Sequence, residues 1–214
     1  MPDEFIDEYT FALDQLSVAL QNSYEKMRVA PLSRTNLDYS RIVLGRLRAF
    51  YCAQDKLKCF LNKRVAQAGS DFFVETILFS LKLFNDTENL NLQIASERAI
   101  EKKRNAIRPD ISLWREDNLV AVIECKTQLG WLRHNWGNHI VKREQQVKAV
   151  FPEATIFWLV MTSCNWSGFG DDSRVGNTLF CLLREVWPTQ ISREFEPTIL
   201  ETPLEKLLQQ VEGL

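Results

Sequence analysis

Two carboxylates and one amine stand out in the sequence because their spacing could gather them at one edge of a sheet. Asp110 follows Pro109, and Glu124 and Lys126 come fourteen and sixteen residues after Asp110. Carboxylate oxygens suit Mg²⁺ and Mn²⁺. Such an ion can polarise a phosphate oxygen and lower the pKa of a bound water, and a neighbouring lysine can orient that water or offset charge on phosphorus. The three residues therefore predict phosphodiester hydrolysis.

A β-hairpin would position these groups. The stretches 109–114 and 119–127 are strand-like, and the turn-forming pair Asp117-Asn118 separates them. Side chains at i and i+2 share a face of a strand, so Glu124 and Lys126 point together. A solvent-facing salt bridge between those two residues is the simpler alternative.

The hairpin register decides whether Asp110 joins them. A regular two-residue turn at Asp117-Asn118 would set Asp110 opposite Cys125, on the wrong face of the sheet. An odd-length loop or one bulge would set it opposite Glu124. We therefore expect an odd loop or a bulge.

The rest of the chain alternates between helical and strand-like patterns. Apolar spacing predicts helices over 3–28, 37–65, 71–84 and 138–151, with strands over 90–100 and 155–162. Residues 178–187 fit a helix or a strand. The sequence Thr202-Pro203-Leu204-Glu205 is typical of a capping box that starts a C-terminal helix. We expect a helical region over 1–68, packed on a second domain over 69–214.

Composition limits the class of protein. The chain has 214 residues, a net charge of −2, five cysteines without CxxC spacing and two histidines. A disulfide framework, a zinc site and a Ser-His-Asp triad are therefore disfavoured. No apolar run approaches the roughly 20 residues that span a membrane, and the N-terminus lacks secretory features. These observations predict a cytoplasmic protein with no membrane association.

Basic residues concentrate in the middle of the chain. Seven lie between Arg41 and Arg64 against one acid, and five lie between Arg98 and Arg108 against one acid. A basic middle between acidic ends can form a local phosphate-binding face. Solvated helix faces explain the Arg41–Arg64 cluster equally well.

The motif Pro109-Asp110…Glu124-Cys125-Lys126 resembles that of the PD-(D/E)XK, or restriction-endonuclease-like, nuclease superfamily. The order helix, strand, hairpin, helix, strand between residues 70 and 162 is similar to that superfamily's core. The resemblance covers about the central half of the chain. It implies an α/β fold with an αβββαβ core, in which helices flank a mixed four-stranded sheet. It also implies Mg²⁺ (or Mn²⁺) dependence and phosphodiester cleavage in DNA, less often RNA.

The resemblance also assigns roles to particular residues. Asp110 and Glu124 would bind the metal, with the backbone carbonyl of Cys125 as a further ligand, and Lys126 would act on the attacking water. Glu75, a charged residue within the apolar 71–84 helix, matches a glutamate that many members add to the metal site. Gln145 matches a catalytic glutamine on the helix after the third strand, and Gln146 is the weaker candidate.

Nearby cations are candidates for contact with nucleic acid. The set comprises Arg133, Lys142, Arg143, Lys102, Lys103 and Arg104. A solvated helix face explains Lys142 and Arg143 equally. We expect nucleic acid, DNA in the first instance, as the partner, and a homodimer formed through the N-terminal helices. The alternative is a nuclease-fold protein that binds nucleic acid or assembles without cleaving.

Overall fold

The computed structural model describes residues 7–29, 38–129, 136–166, 169–193 and 197–214. Its elements follow the predicted order of helices and strands, with short 3₁₀ turns at Phe169–Asp171 and Pro188–Gln190. The elements are α1 Glu8–Val29, α2 Tyr39–Phe60, α3 Ser70–Glu88, β1 Gln93–Ser96, β2 Ile111–Arg115, β3 Asn118–Lys126, α4 Trp136–Lys148, β4 Thr155–Thr162, β5 Leu179–Leu183 and α5 Pro203–Glu212.

The strands form one mixed sheet in the order β1-β2-β3-β4-β5. The pairs β1–β2 and β2–β3 are antiparallel, and the pairs β3–β4 and β4–β5 are parallel. The expectation of a four-stranded sheet is wrong. Residues 178–187, for which the sequence fitted a helix or a strand, contain the fifth strand, β5. All five residues of β5 are buried apolar side chains, which is typical of a strand covered on both faces.

Helices cover both faces of the sheet. On one face, Val43 of α2, Phe73 of α3 and Leu207 of α5 join a core with Ala121, Ile123 and Cys125 of β3. On the other face, Ile140 and Val147 of α4 belong to a second core with Leu119 and Val122 of β3. Glu124 and Lys126 therefore belong to the face that α4 covers. The expected boundary between residues 68 and 69 stays a prediction.

The start of α5 is held by a contact that the capping-box interpretation missed. Thr202 makes no side-chain hydrogen bond to the helix. Glu205 instead accepts hydrogen bonds from the backbone N–H and the hydroxyl of Ser40, a fully buried residue at the start of α2. The hydroxyl oxygen of Ser40 accepts in turn from the N–H of Leu204. The predicted capping box is therefore wrong, because Glu205 joins α5 to α2.

The helix α1 rests on the protein by its second half. Leu20, Tyr24 and Met27 pack against the core, and the ring of Tyr24 meets that of Phe79 edge to face at 6.1 Å between centroids. The Tyr24 hydroxyl donates a hydrogen bond to Asp86. Burial, and then the interaction with Asp86, raise the pKa of Tyr24 to about 12. Among the described helices, none is long and apolar enough to cross a membrane.

We predict that Tyr24→Phe destabilises the fold by about 1 kcal/mol. Removal of the hydroxyl takes one hydrogen bond from Asp86, while the ring contact with Phe79 remains. Urea unfolding followed by circular dichroism measures the change. The control is Tyr9→Phe in the exposed first half of α1, which should unfold like the wild type. Equal loss in both variants would contradict the contact.

Candidate active site

A bulge sets the register of the β2–β3 hairpin. Ile111 pairs with Ile123 and Leu113 with Ala121, but Trp114 then pairs with Leu119, which leaves Val120 as an extra residue in β3. The predicted bulge is confirmed. The two-residue turn lies at Glu116–Asp117, one position earlier than expected, and Glu116 adopts a left-handed conformation with φ of 54°.

This register brings the two predicted acids together. One more step along the ladder from Ile111 and Ile123 sets Asp110 opposite Glu124. The ammonium of Lys126 lies 2.9 Å from Asp110 Oδ2 and 3.2 Å from Glu124 Oε2. The backbone N–H of Cys125 donates to Asp110 Oδ2 at 2.7 Å. A carboxylate from before β2 and two side chains from the end of β3 therefore form one ion network.

The neighbouring strand β1 helps to fix Asp110. The hydroxyl of Ser96, the last residue of β1, donates to the backbone carbonyl of Asp110 at 2.9 Å, and the N–H of Glu97 points to the same oxygen. Both the side chain and the carbonyl of Asp110 are thus held from separate strands. This arrangement leaves little freedom for the carboxylate to turn away from Lys126.

Glu124 is the most buried member of the network. It is 2% exposed, and its second carboxylate oxygen accepts from Arg143 Nε of α4 at 2.7 Å. A buried carboxylate is costly unless it is paired and hydrogen-bonded. Lys126 and Arg143 together meet that requirement. The adjacent residue in β4 is Trp158, whose buried indole N–H has no hydrogen-bond partner in the part of the chain that the structure describes.

Lys126 is held in its charged form. Burial by itself would lower the pKa of Lys126, but its hydrogen bond to Asp110 and the charges of Glu124 and Asp110 outweigh burial and raise the pKa above the ordinary lysine value. Its ion pairs therefore stabilise the fold below that ordinary value, and the contribution is lost as pH rises through the higher folded-state pKa. At neutral pH, Lys126 is a fixed positive charge and a hydrogen-bond donor.

Lys126 lies between two cavities. The α3-side cavity, of about 410 Å³, is lined by Asp110, Lys126 and Glu75 among others. The α4-side cavity, of about 330 Å³, is lined by Glu124, Lys126 and one face of α4. The two carboxylates thus contact different cavities and share the lysine between them.

Glu75 lies beside the site. Most of α3 is covered by the rest of the protein, but Glu75 is on its exposed side, while Phe73, Thr76 and Ile77 are buried. Its role at the metal stays a prediction. Glu75 nevertheless lines the α3-side cavity with Asp110. Burial lowers the pKa of Arg46, and the charge of Glu75 partly offsets that effect.

One stripe of α4 faces the α4-side cavity. Its members, at spacings of three and four residues, are Trp136, His139, Lys142, Arg143 and Gln146. Gln146 therefore borders the site, whereas our preferred candidate, Gln145, is exposed and lines neither cavity. The spacing of these residues predicts that they share one face of the helix, but it does not show that this face borders the site.

The predicted nucleic-acid contacts have different surroundings. Lys142 is exposed at the α4-side cavity, and Arg143 is already bonded to Glu124. Lys102, Lys103 and Arg104 form an exposed segment after β1 that lines neither cavity, and Lys103 pairs with Glu101 at 2.6 Å. Arg133 lies outside the described residues.

The oxygen donors at the site suit the divalent metal that the resemblance implies. Asp110 and Glu124 offer hard oxygen ligands, and the described residues contain no group of three or more His, Cys, Asp or Glu side chains placed to hold an ion. Mg²⁺ is commonly bound by one or two carboxylates, with water and substrate phosphates completing its shell. The Cys125 side chain belongs to the core on the opposite face of β3 from Glu124 and Lys126, so its backbone carbonyl is the group that could contribute a ligand. The residues present thus fit Mg²⁺ or Mn²⁺.

Comparison with known proteins gives little that bears on the site. No protein-family profile matches the chain, and no curated protein matches it. Among solved structures, the chain has a likeness to the native A2B2 tetramer of BbvCI, a restriction endonuclease, at a TM-score of 0.35 and 12% identity over 97% of this chain and 95% of that chain. So distant a likeness carries no argument, and membership of the PD-(D/E)XK superfamily stays a prediction.

We predict that Arg143→Gln destabilises the protein by about 2 kcal/mol, because Glu124 then keeps a single charged partner in a buried position. Chemical denaturation of the full chain provides the measurement. The matched control is Lys142→Gln, which removes an exposed cation from the same helix and should change stability by less than about 0.5 kcal/mol. Similar losses in the two variants would show that Arg143 does not support Glu124.

Proposed function

We propose that this protein is a metal-dependent nuclease that hydrolyses phosphodiester bonds in DNA. The observation that carries the proposal is the contact of one ammonium, Lys126, with two carboxylates, Asp110 and Glu124, at the end of a bulged hairpin. These three residues match the two acids and the lysine of the PD-(D/E)XK motif. The proposal rests on the site and that motif.

The roles of the residues follow from their charge and position. Asp110 and Glu124 would hold Mg²⁺ or Mn²⁺, which would supply charge for a phosphate oxygen and activate a water. The raised pKa of Lys126 keeps it protonated, so it serves as a donor that orients the water or stabilises negative charge in the transition state. Glu75, on the same cavity as Asp110, can bind a water in the outer shell of the ion.

The α4 stripe provides the surface on which a phosphate backbone would lie. Lys142 is exposed there, Arg143 is close to Glu124, and Trp136 adds an aromatic surface. Phosphate contacts position a nucleic acid without reading its sequence, and an aromatic ring can stack on a base. Gln146 takes the place at this cavity that we had assigned to Gln145.

A second candidate function is binding or assembly without cleavage. The observation that favours it is that both carboxylates are already matched by cations, with Asp110 bonded to Lys126 and Glu124 bonded to Lys126 and Arg143. Such a network can stabilise the end of β3 without taking part in any reaction. The two functions differ in whether a divalent ion and DNA engage these residues.

The first experiment measures cleavage of labelled duplex and single-stranded DNA, with an RNA arm, during titration with Mg²⁺ and Mn²⁺. We predict cleavage of DNA that falls at least about 100-fold in Lys126→Met, because the variant loses the charge next to the reacting phosphate. The control is Lys148→Met, an exposed lysine at the end of α4 that lines neither cavity. Equal rates in both variants would contradict the role of Lys126.

Binding and cleavage separate the two candidate functions. Salt-sensitive DNA binding with no cleavage at any metal concentration would support the non-cleaving function. Cleavage of RNA but not DNA would retain the chemistry and change the substrate. Absence of both binding and cleavage on all three substrates would contradict the nuclease and the nucleic-acid-binding proposals together.

The metal is tested independently of cleavage. We predict that the free protein binds Mn²⁺ weakly, because Lys126 and Arg143 already neutralise the two carboxylates, and that Asp110→Asn weakens the binding about tenfold or more by removing a charged ligand. The loss of the free Mn²⁺ spin-resonance signal measures binding directly. Asp117→Asn in the exposed hairpin turn is the charge-matched control. Identical affinities would place the ion elsewhere.

A further inference from the structure

Exposed apolar side chains concentrate in two places. Ten large apolar side chains are exposed among the described residues, and eight of them lie in two short segments, each between 45% and 86% exposed. The α1 patch, in the first half of α1, consists of Tyr9, Phe11, Leu13, Leu16 and Val18. The α2 patch, at the end of α2 and just beyond it, consists of Phe60, Leu61 and Val65.

The α1 patch continues a stripe that is already in use. Tyr9, Leu13 and Leu16 share the helix face of Leu20 and Tyr24, which pack on the core. The core therefore covers the second half of this apolar stripe and leaves its first half exposed. No residue of Glu8–Val29, a helix described in full, is buried.

The opposite side of the same half-helix is also apolar. Phe11 and Val18 lie about half a turn away from the stripe, and they are 60% and 45% exposed. A helix with apolar side chains on opposite sides is normally covered by other protein. The first half of α1 thus has an excess of apolar surface that one chain leaves open.

The two patches carry opposite charge. Asp7, Glu8 and Asp14 accompany the α1 patch, and no basic residue occurs between positions 7 and 25. Four basic residues surround the α2 patch, and no acidic residue occurs between positions 56 and 70. They are Lys56, Lys58, Lys63 and Arg64. Apolar surfaces with complementary charge are suited to contact each other.

We infer that a second copy of this chain brings the patches together, with the α1 patch of each copy on the α2 patch of the other. Both patches stay exposed in a single chain, so neither covers the other within it. A two-fold axis makes the two contacts identical and closes the assembly as a dimer. The 22 residues of α1 span about 33 Å, which lets its first half reach beyond its own core.

Other occupants fit the charges less well. Pairing of two α1 patches would place acidic helices side by side, and like charges oppose such contact. Membrane-surface helices carry Lys and Arg on their polar face and are attracted to anionic lipid, whereas the first half of α1 is acidic. A partner copy satisfies both patches with one contact.

The test measures the mass of the full-length protein in solution by sedimentation and by light scattering. The wild type should be a dimer, and Leu16→Glu and Phe60→Glu should each be monomeric at concentrations where the wild type is fully dimeric, an affinity loss of at least tenfold. Mixing the two variants in equal amounts should give mixed dimers that are weaker than the wild-type dimer, because the mixed pair regains one intact contact out of two. Added salt should weaken the wild-type dimer.

The control variant is Gln21→Glu, which adds the same charge to α1 at an exposed position beyond the α1 patch and should remain dimeric. Circular dichroism melting of every variant verifies that the fold persists. A monomeric wild type would overturn the inference, and so would a dimeric Phe60→Glu beside a monomeric Leu16→Glu, which indicates α1–α1 pairing. None of the substituted residues lines either cavity, so failure of this inference leaves the proposed nuclease untouched.

Discussion

A carboxylate buried at the end of β3 is the constraint on which the site depends. Glu124 needs compensating charge because it is 2% exposed, and that charge comes from two elements: Lys126 two residues along the same strand, and Arg143 from α4. The contact fixes α4 against the sheet at the place where a ligand could approach. It also keeps both cations at the mouth of the α4-side cavity.

The bulge in β3 adds the second carboxylate. Without the extra residue at Val120, Asp110 would lie opposite Ile123 and face the core; with it, Asp110 lies opposite Glu124 and contacts Lys126. One residue of register therefore decides whether the hairpin carries a site or a salt bridge. The hydrogen bonds from Ser96 and from the Cys125 backbone show that the fold holds this register from several sides.

The same ion network is compatible with both candidate functions. With the cations in place, the carboxylates are neutralised, and the end of β3 is stable without further ligands. Under the proposed function, a substrate phosphate would be an alternative partner for Arg143, and a divalent ion would be an alternative partner for the two acids. The geometry therefore suits an ion that is completed by its substrate rather than one bound tightly by the protein alone.

The sequence by itself determined most of the elements and predicted which residues form the candidate site. Strong local patterns, such as the continuous apolar run of Thr155–Thr162 and the motif around Asp110, depend on side-chain types at fixed spacing, and their strand and hairpin assignments agree with the structure. Tertiary structure alone decided which side of α3 is exposed at Glu75, and that Gln146 rather than Gln145 borders the cavity. It also decided that Arg143 pairs with Glu124. These outcomes depend on how one helix is rotated against another element, and local periodicity leaves that angle open until the core is packed.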